Sequence, residues 1–374
     1  MLTPSGASLR YAIVGGAGSI ARTHIAAIHK LGRTLVGLAD IDAEGVAARA
    51  AEAGCPAFVD HRDMLMAVKP DVAVICTPHP SHASLTLDCL DAGAHVLVEK
   101  PMAVEVADGD KMIATAEAAN RILAVNFQHR LRPAVEYAKQ FIDAGELGEP
   151  VRVLVLEPWL RTAAYYRSAA WRGSWTGEGG GVLLNQSPHT LDLLCHLVGM
   201  PAKVWGWTRA RYQAMECEDT AQAMLEYPNG APGYFTASTA EAGGQRRIEI
   251  VGERAAIEIL GDKLTIQRFQ PPLRTFIDTD PDFFGSPSIR IETLDLPASE
   301  TQGNHYAVYR DLEEAIATGR QPRCNGREGL MSLELANAIT YSSFRGQPVA
   351  FPVDRTSYSE LLNELRTKPS PQGS

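Results

Sequence analysis

Short apolar runs alternate with helix-like stretches through the first third of the chain. Tyr11–Val14, Thr34–Ala39, Val72–Cys76, His95–Val98 and Leu123–Asn126 are apolar segments of strand length. Ala21–Leu31, Ala43–Ala53, Ser84–Ala92 and Val106–Ala119 between them read as helices. Unbroken apolar strands are buried on both faces, so this alternation predicts right-handed βαβ units around a parallel sheet. It stops near Phe127. After one more helical stretch, Pro133–Ala144, the segments Val151–Glu157, Lys203–Ala210, Thr220–Tyr227, Gly233–Thr239, Arg247–Val251 and Ala256–Leu260 read as strands. Turns such as Pro228-Asn229-Gly230 join them, which predicts an antiparallel sheet rather than more βαβ. Helical patterns return at Tyr306–Thr318 and Gly329–Phe344. The expected architecture is α/β. A doubly wound Rossmann domain spans 1–127, an α+β domain with a broad sheet spans 128–366, and a tail runs over 367–374.

Composition sharpens this reading in three places. A chain of 374 residues exceeds what one core usually supports, in keeping with two domains. A formal charge of −9 argues against nucleic acid, whose phosphates demand many Lys and Arg contacts. Six scattered cysteines with no CxxC pair fit a reduced, cytoplasmic setting better than a disulfide framework. Neither a signal peptide nor an apolar run of membrane-spanning length is visible, so no membrane partner is expected.

Chemistry enters first at Gly16-Ala17-Gly18-Ser19-Ile20-Ala21, between a strand and a helix. In that context the glycines allow a tight turn and a close backbone approach to a pyrophosphate, and Ala21 allows close helix–sheet packing. The pyrophosphate would lie at the positive end of the helix. Asp40 ends the second strand, 22 residues after Gly18, where a carboxylate receives ribose hydroxyls and repels a 2′-phosphate. Ile41 follows it in place of a phosphate-clamping Arg, so NAD is expected over NADP. Capping of the next helix, with or without Asp42, is the alternative role for Asp40.

Cys76-Thr77-Pro78-His79-Pro80-Ser81-His82 and Glu99-Lys100-Pro101 end the next two strands, at the sheet edge where ligands bind in doubly wound folds. A lysine there, directly after a buried strand, is poorly explained as surface charge. Together with Gly16–His24 and Gly179-Gly180-Gly181-Val182-Leu183-Leu184-Asn185-Gln186-Ser187-Pro188-His189-Thr190-Leu191-Asp192, these segments resemble the Gfo/Idh/MocA family, the relatives of glucose–fructose oxidoreductase and inositol dehydrogenase. The resemblance extends to Asp219-Thr220 and to Pro348–Pro352.

That resemblance implies a large open-faced, mostly antiparallel sheet in the second domain and homodimers or homotetramers packed through it. It implies reversible NAD-dependent oxidation of a ring hydroxyl on a sugar, glycoside or cyclitol. Lys100 would hydrogen-bond the reacting oxygen and His189 would relay the proton. Thr77, Pro78, His79, His82, Glu99, Lys100 and Gln128 join the glycine loop as expected cofactor contacts. Inositol dehydrogenases carry Asp where this chain has Asn185, and Asn cannot act as a base, though it can bind hydroxyls. Proton transfer then falls to Lys100 and His189, and inositol itself becomes a less natural substrate.

Trp159, Arg161, Tyr165, Tyr166, Trp171 and Arg172 crowd the stretch before the glycine run. Aromatic faces stack on pyranose rings and Arg binds hydroxyl or carboxylate oxygens, so a carbohydrate pocket is expected, with packing as the alternative. His305 is a further candidate substrate contact, with helix capping by its segment equally open. Trp205 and Trp207 share a strand face suited to packing or an interface. No metal is expected, because His79-x-x-His82 and His189…His196 lack further ligands at credible spacing. An NAD-recycling enzyme with only a transient oxidation, a ketoreductase and a non-catalytic NAD-binding sensor are the alternative functions.

Overall fold

The structure, a computed structural model, describes residues 8–367. The polar start (residues 1–7) and nearly all of the expected tail lie outside the described residues. The first part of the chain runs β1 (Arg10–Val14), α1 (Ala21–Lys30), β2 (Thr34–Ala39), α2 (Ala43–Ala53), β3 (Ala57–Phe58), α3 (His61–Val68), β4 (Val72–Ile75), α4 (His82–Asp91), β5 (His95–Val98), α5 (Val106–Ala118) and β6 (Leu123–Val125). Among the described residues these strands form a six-stranded sheet in the order β3-β2-β1-β4-β5-β6, all parallel. The order reverses between β1 and β4, which opens a crevice at the strands' C-terminal ends.

Side chains alternate between the two faces with the strand period of two. Tyr11 and Ile13 pack with Ile25, Ile28 and Val46, whereas Ala12 and Val14 join Met64, Leu90 and Met112 on the other face. Every one of these positions is apolar, and so the strands read as unbroken runs. Two elements had no such signal. β3 has only two residues, and the short α3 that follows it buries just Met64 and Leu65.

The second part runs α6 (Pro133–Asp143), β7 (Pro150–Pro158), α7 (Ala163–Arg167), α8 (Val182–Asn185), α9 (Pro188–Val198), β8 (Lys203–Arg209), β9 (Thr220–Glu226), β10 (Pro232–Ser238), β11 (Arg247–Gly252), β12 (Ala255–Leu260) and β13 (Lys263–Gln270). It continues with α10 (Leu273–Thr279), β14 (Ser288–Asp295), α11 (His305–Thr318), α12 (Gly326–Arg345), β15 (Val349–Ala350) and α13 (Arg355–Thr367). Nine strands form one sheet in the order β14-β13-β12-β11-β7-β10-β9-β8-β15 among the described residues, and only β7 and β10 pair in parallel. One face is buried under α9 and α12. The other is open, with Trp205, Trp207, Met224 and Tyr234 each more than a third exposed.

The chain then returns to the first sheet. Helix α11 packs against α1, and the Tyr309 ring meets that of Tyr11 at a tilt, centroids 5.5 Å apart. Helix α12 lies between the two sheets, touching α5 and β6 on one side and β8 on the other. A continuous core therefore joins the parallel sheet to the broad one and fixes the crevice against α8 and α9. Among the described residues no helix is long and apolar enough to cross a membrane.

Candidate active site

The crevice begins with the turn after β1. Gly15 and Gly16 both donate to Ala39 O, at 2.8 and 3.0 Å. The left-handed conformation lies at Gly15 (φ +91°), where a Cβ would come within 2.7 Å of the Cys76 backbone. The sequence reading gave the tight turn to Gly16. The structure moves it one residue earlier, and a side chain at Gly16 is barred instead by Leu38 Cβ at 2.9 Å. Gly18 donates to Gly15 O, and exposed Ser19 and half-buried Ile20 lead into α1 at Ala21. No side chain caps α1 and its first turn has no acid; Arg22 N and Thr23 N donate to Ser19 O and Ile20 O, which leaves the N–H groups of Ser19, Ile20 and Ala21 for an anion.

Asp40 accepts from Ala17 N and Asp42 N, both at 3.0 Å. Capping of α2 falls to Asp42, which accepts from Gly45 N. Asp40, Thr77 and Pro78 line a cleft of about 540 Å³ whose rim carries Ile41 (95% exposed) and Val59 (61% exposed). Thr77 accepts the Ser81 hydroxyl at 2.7 Å. His79 points away from this cleft, with Nδ1 3.2 Å from Glu178 O in the second half of the chain. His82 is fully buried, with its nitrogens 2.8 and 2.7 Å from Pro101 O and Thr77 O. It holds those two segments together and presents no free ring nitrogen to a ligand.

Glu99 is locked in place. Its Oε1 accepts from His24 Nε2 (2.9 Å) and Asn126 Nδ2 (2.5 Å), its Oε2 from Lys100 N, and His305 Nε2 stands 3.5 Å away. His24 Nδ1 in turn meets the Tyr309 hydroxyl at 2.9 Å. Burial raises the Glu99 pKa, but hydrogen bonds from His24 and His305 outweigh it and hold the carboxyl well below the usual range. Ligand atoms of His24, Glu99 and His305 lie within 4.8 Å of one another, a grouping of possible metal ligands that the sequence spacing did not show. His305 thus sits on the Glu99 network, while Asn304 caps α11 by accepting from Ala307 N.

Lys100 leaves this network and crosses to the second half, where Nζ donates to Asn185 O at 2.9 Å. Burial lowers its pKa. The reading of one helix carrying Asn185 and His189 is modified: α8 ends at Asn185 and α9 starts at Pro188. His189, in the first turn of α9, is 7% exposed and its Nδ1 has no partner among the described residues. Burial, then the Lys100 charge, holds its pKa well below the ordinary histidine value, so the ring is neutral near pH 7. It stacks on His129 with centroids 4.1 Å apart. Gln128, beside His129, has a buried Oε1 without a partner, a vacant acceptor suited to a ligand amide.

The aromatic stretch folds back over this junction. The Tyr165 hydroxyl receives Arg172 (2.5 Å), Asn185 Nδ2 (3.2 Å) and Gln186 Nε2 (3.3 Å). Arg161 lies 5.0 Å from both the Trp159 and Tyr165 rings, and Arg172 lies 4.1 Å from Tyr165 and 4.4 Å from Trp171. Trp171 meets His79 edge-on at 5.8 Å.

Three members of the site were not read from sequence: Glu178, His129 and Arg246. Glu178 is 1% exposed and contacts Asn185 Nδ2, with Gly173 N at 2.5 Å; burial raises its pKa. It precedes three glycines, a setting that reads as a solvated loop. Gly179 and Gly181 are needed because the chain threads between Val104 and the segment leading into β9: a Cβ at Gly181 would overlap Glu218 O at 1.9 Å. Arg246 binds Glu157 at 2.6 and 2.7 Å and reaches His129 Nδ1 at 3.1 Å. No local pattern announces either contact, since the partners are 89 and 117 residues away.

A glycine turn, an uncapped helix start and a carboxylate at the end of β2 define a Rossmann-fold dinucleotide site, here facing a lysine–histidine pair. Residues 9–127 match the model of an oxidoreductase family with an NAD-binding Rossmann fold, and residues 135–258 match the GFO/IDH/MocA C-terminal domain. The chain belongs to the GFO/IDH/MocA family of oxidoreductases. It is 34% identical over 205 residues to the 1-carboxy-3-chloro-3,4-dihydroxycyclo hexa-1,5-diene dehydrogenase of Comamonas testosteroni, covering 53% of this chain and 50% of that protein. It is 34% identical over 149 residues to D-glucoside 3-dehydrogenase of Escherichia coli K12, covering 38% and 40%. The chain thus spans half or less of these two curated relatives. The WlbA dehydrogenase of Bordetella pertussis, solved with NADH and UDP-GlcNAcA, is 30% identical with a TM-score of 0.78, over 93% of this chain and 100% of that one.

Proposed function

We propose that the protein reversibly oxidises a ring secondary hydroxyl of a sugar, glycoside or cyclitol with NAD, Lys100 and His189 handling the proton. The observation that carries this reading is the Lys100 Nζ–Asn185 O contact of 2.9 Å, which brings the lysine of the cofactor half to the segment leading into neutral His189. The names of the relatives, dehydrogenases of a glucoside and of a dihydroxylated ring, support it.

Bound nicotinamide supplies the hydride acceptor. Neutral His189 accepts the hydroxyl proton, and the Lys100 ammonium stabilises negative charge growing on the same oxygen. In reduction the roles reverse: Lys100 polarises the carbonyl and His189 returns the proton. Asn185, Tyr165, Trp159 and Trp171 orient the ring, with His305 acting through Glu99. Asp40 favours NAD, since a 2′-phosphate would face its carboxylate, and exposed Ile41 and Val59 offer apolar cover to an adenine. The six free cysteines fit a reducing cytoplasm. A second copy of the chain covers the open sheet face at Trp205, Trp207, Met224 and Tyr234.

The test is nucleotide reduction across pyranoses, glycosides, sugar acids and inositols, with NAD and again with NADP. NADH formation with at least one compound, exceeding that with NADP, is expected. Substrate loss without net NADH would indicate an NAD-recycling enzyme. Tight NAD binding with no turnover anywhere on the panel would indicate a sensor.

A further inference from the structure

Two arginines near the site are satisfied in the same way. Arg130 makes a bidentate pair with Asp192 at 2.8 and 2.6 Å, and Arg246 makes one with Glu157 at 2.6 and 2.7 Å. Both use the guanidinium fork for two parallel bonds, the strongest arrangement open to arginine. Arg161 and Arg172 differ. Among the described residues neither forms an ion pair, and the Nε of each is buried with no hydrogen-bond partner. Arg161 reaches only its neighbour's carbonyl, Leu160 O at 3.2 Å, and Arg172 only the Tyr165 hydroxyl. Stacking on Trp159, Tyr165 and Trp171 fixes both planes and leaves the Nη2 of each without a hydrogen bond among the described residues.

The neighbouring carboxylate does not fill the gap. Glu178 turns one oxygen to Asn185 and the other to Gly173 N. Lys100, Arg161 and Arg172 stand against Glu178 and Glu99, leaving one positive charge in excess in a chain whose net charge is −9. A half-buried guanidinium with no anion is costly, and the missing partner is one that a ligand can bring.

We propose that the substrate carries a carboxylate on its ring and that Arg161 and Arg172 receive it, placing the hydroxyl to be oxidised at Lys100. This rests on the dehydrogenase reading above and narrows it to sugar acids and carboxylated cyclitols. A phosphate ester would supply charge too, but two stacked guanidinium groups with one free Nη2 each suit the two oxygens of a planar carboxylate.

The experiment compares D-glucuronate and D-galacturonate with their methyl esters, their parent aldohexoses and the hexose 6-phosphates, using wild-type protein and NAD. At least one acid is expected to exceed its ester and its parent in kcat/KM by about tenfold or more, the value of one charge-assisted pair. Arg172→Gln and Arg161→Gln should each collapse that acid-to-ester ratio toward unity, while Arg172→Lys keeps part of it. Tryptophan fluorescence, titrated with each acid and each ester in the presence of NADH, gives the same ratio without turnover. Equal use of acid and ester, or preference for the 6-phosphate, would overturn the carboxylate assignment and leave the dehydrogenase standing. Absence of nucleotide reduction with all of these compounds and with the glycosides and inositols of the wider panel would remove both.

Discussion

Glu99 and Lys100 are adjacent in sequence, yet their side chains belong to regions of opposite character. On the Glu99 side the charge is paired: the carboxylate accepts from His24 and Asn126, both nitrogens of His24 are engaged, and only Asn126 Oδ1 and His305 Nε2 are left without a hydrogen bond among the described residues. On the Lys100 side, His189 Nδ1, Gln128 Oε1, Arg161 Nε and Arg172 Nε are buried without partners. Each unpaired buried group costs about 1–3 kcal/mol. Such groups, gathered around one lysine, mark where a ligand completes the structure, and the closed network behind them keeps that lysine in place. The contrast separates scaffold from chemistry more sharply than residue type does, since both regions contain buried histidines and carboxylates.

Replacing the group that joins the two regions should have the largest effect. Lys100→Met is expected to lower kcat by about 10²–10⁴-fold, the range for a lost proton-transfer or charge-stabilising group. NADH affinity, followed by fluorescence titration, should stay near wild type because the glycine turn and Asp40 are untouched. A joint loss of turnover and NADH binding would show that Lys100 is scaffold too.

A smaller effect, and of a different kind, is expected on the closed side. Glu99→Gln removes the charged acceptor for His24 and should cost about 1.5–3 kcal/mol in urea unfolding at neutral pH. The sign with pH follows from the direction of the shift. Because the folded carboxyl titrates well below its ordinary value, its contribution is present above about pH 4.3 and is lost as pH falls through the folded pKa. Wild type and variant should therefore converge in acid. A constant gap from neutral pH to acid would contradict the assignment of Glu99 as an ionised anchor.

The closed side was also the more legible in the sequence. Its strands are buried on both faces, so β1, β2, β4, β5 and β6 announce themselves as apolar runs, and the chemistry sits at their C-terminal ends. The turn after β1 was placed one residue late because Gly15 and Gly16 are indistinguishable by composition. Only φ and the approach of Cys76 separate them. In the broad sheet, β13 and β14 were missed. β14 lies almost wholly exposed, so no buried face imprints a pattern on it.

On the open side, Lys100, His189, Asn185 and the aromatic stretch were visible as residue types in a recognisable order. The partners that define them were not. His129 stacks on His189 across 60 residues, and Glu178 hides in a glycine-rich stretch that folding buries. Arg161 and Arg172 read as generic sugar-binding residues until Arg130 and Arg246 showed how this fold satisfies a guanidinium when the chain supplies the anion.

The most direct test of the account is the pH dependence of kcat/KM for oxidation in wild type and in His189→Asn. Only neutral His189 can accept a proton, and burial with the nearby Lys100 charge lowers its pKa. The wild-type rate should therefore fall on the acid side only below the ordinary histidine value of about 6.5. In His189→Asn the rate should drop by about 10²-fold or more and the acid limb should disappear. An unchanged acid limb in that variant would contradict the assignment of proton transfer to the open side of the junction.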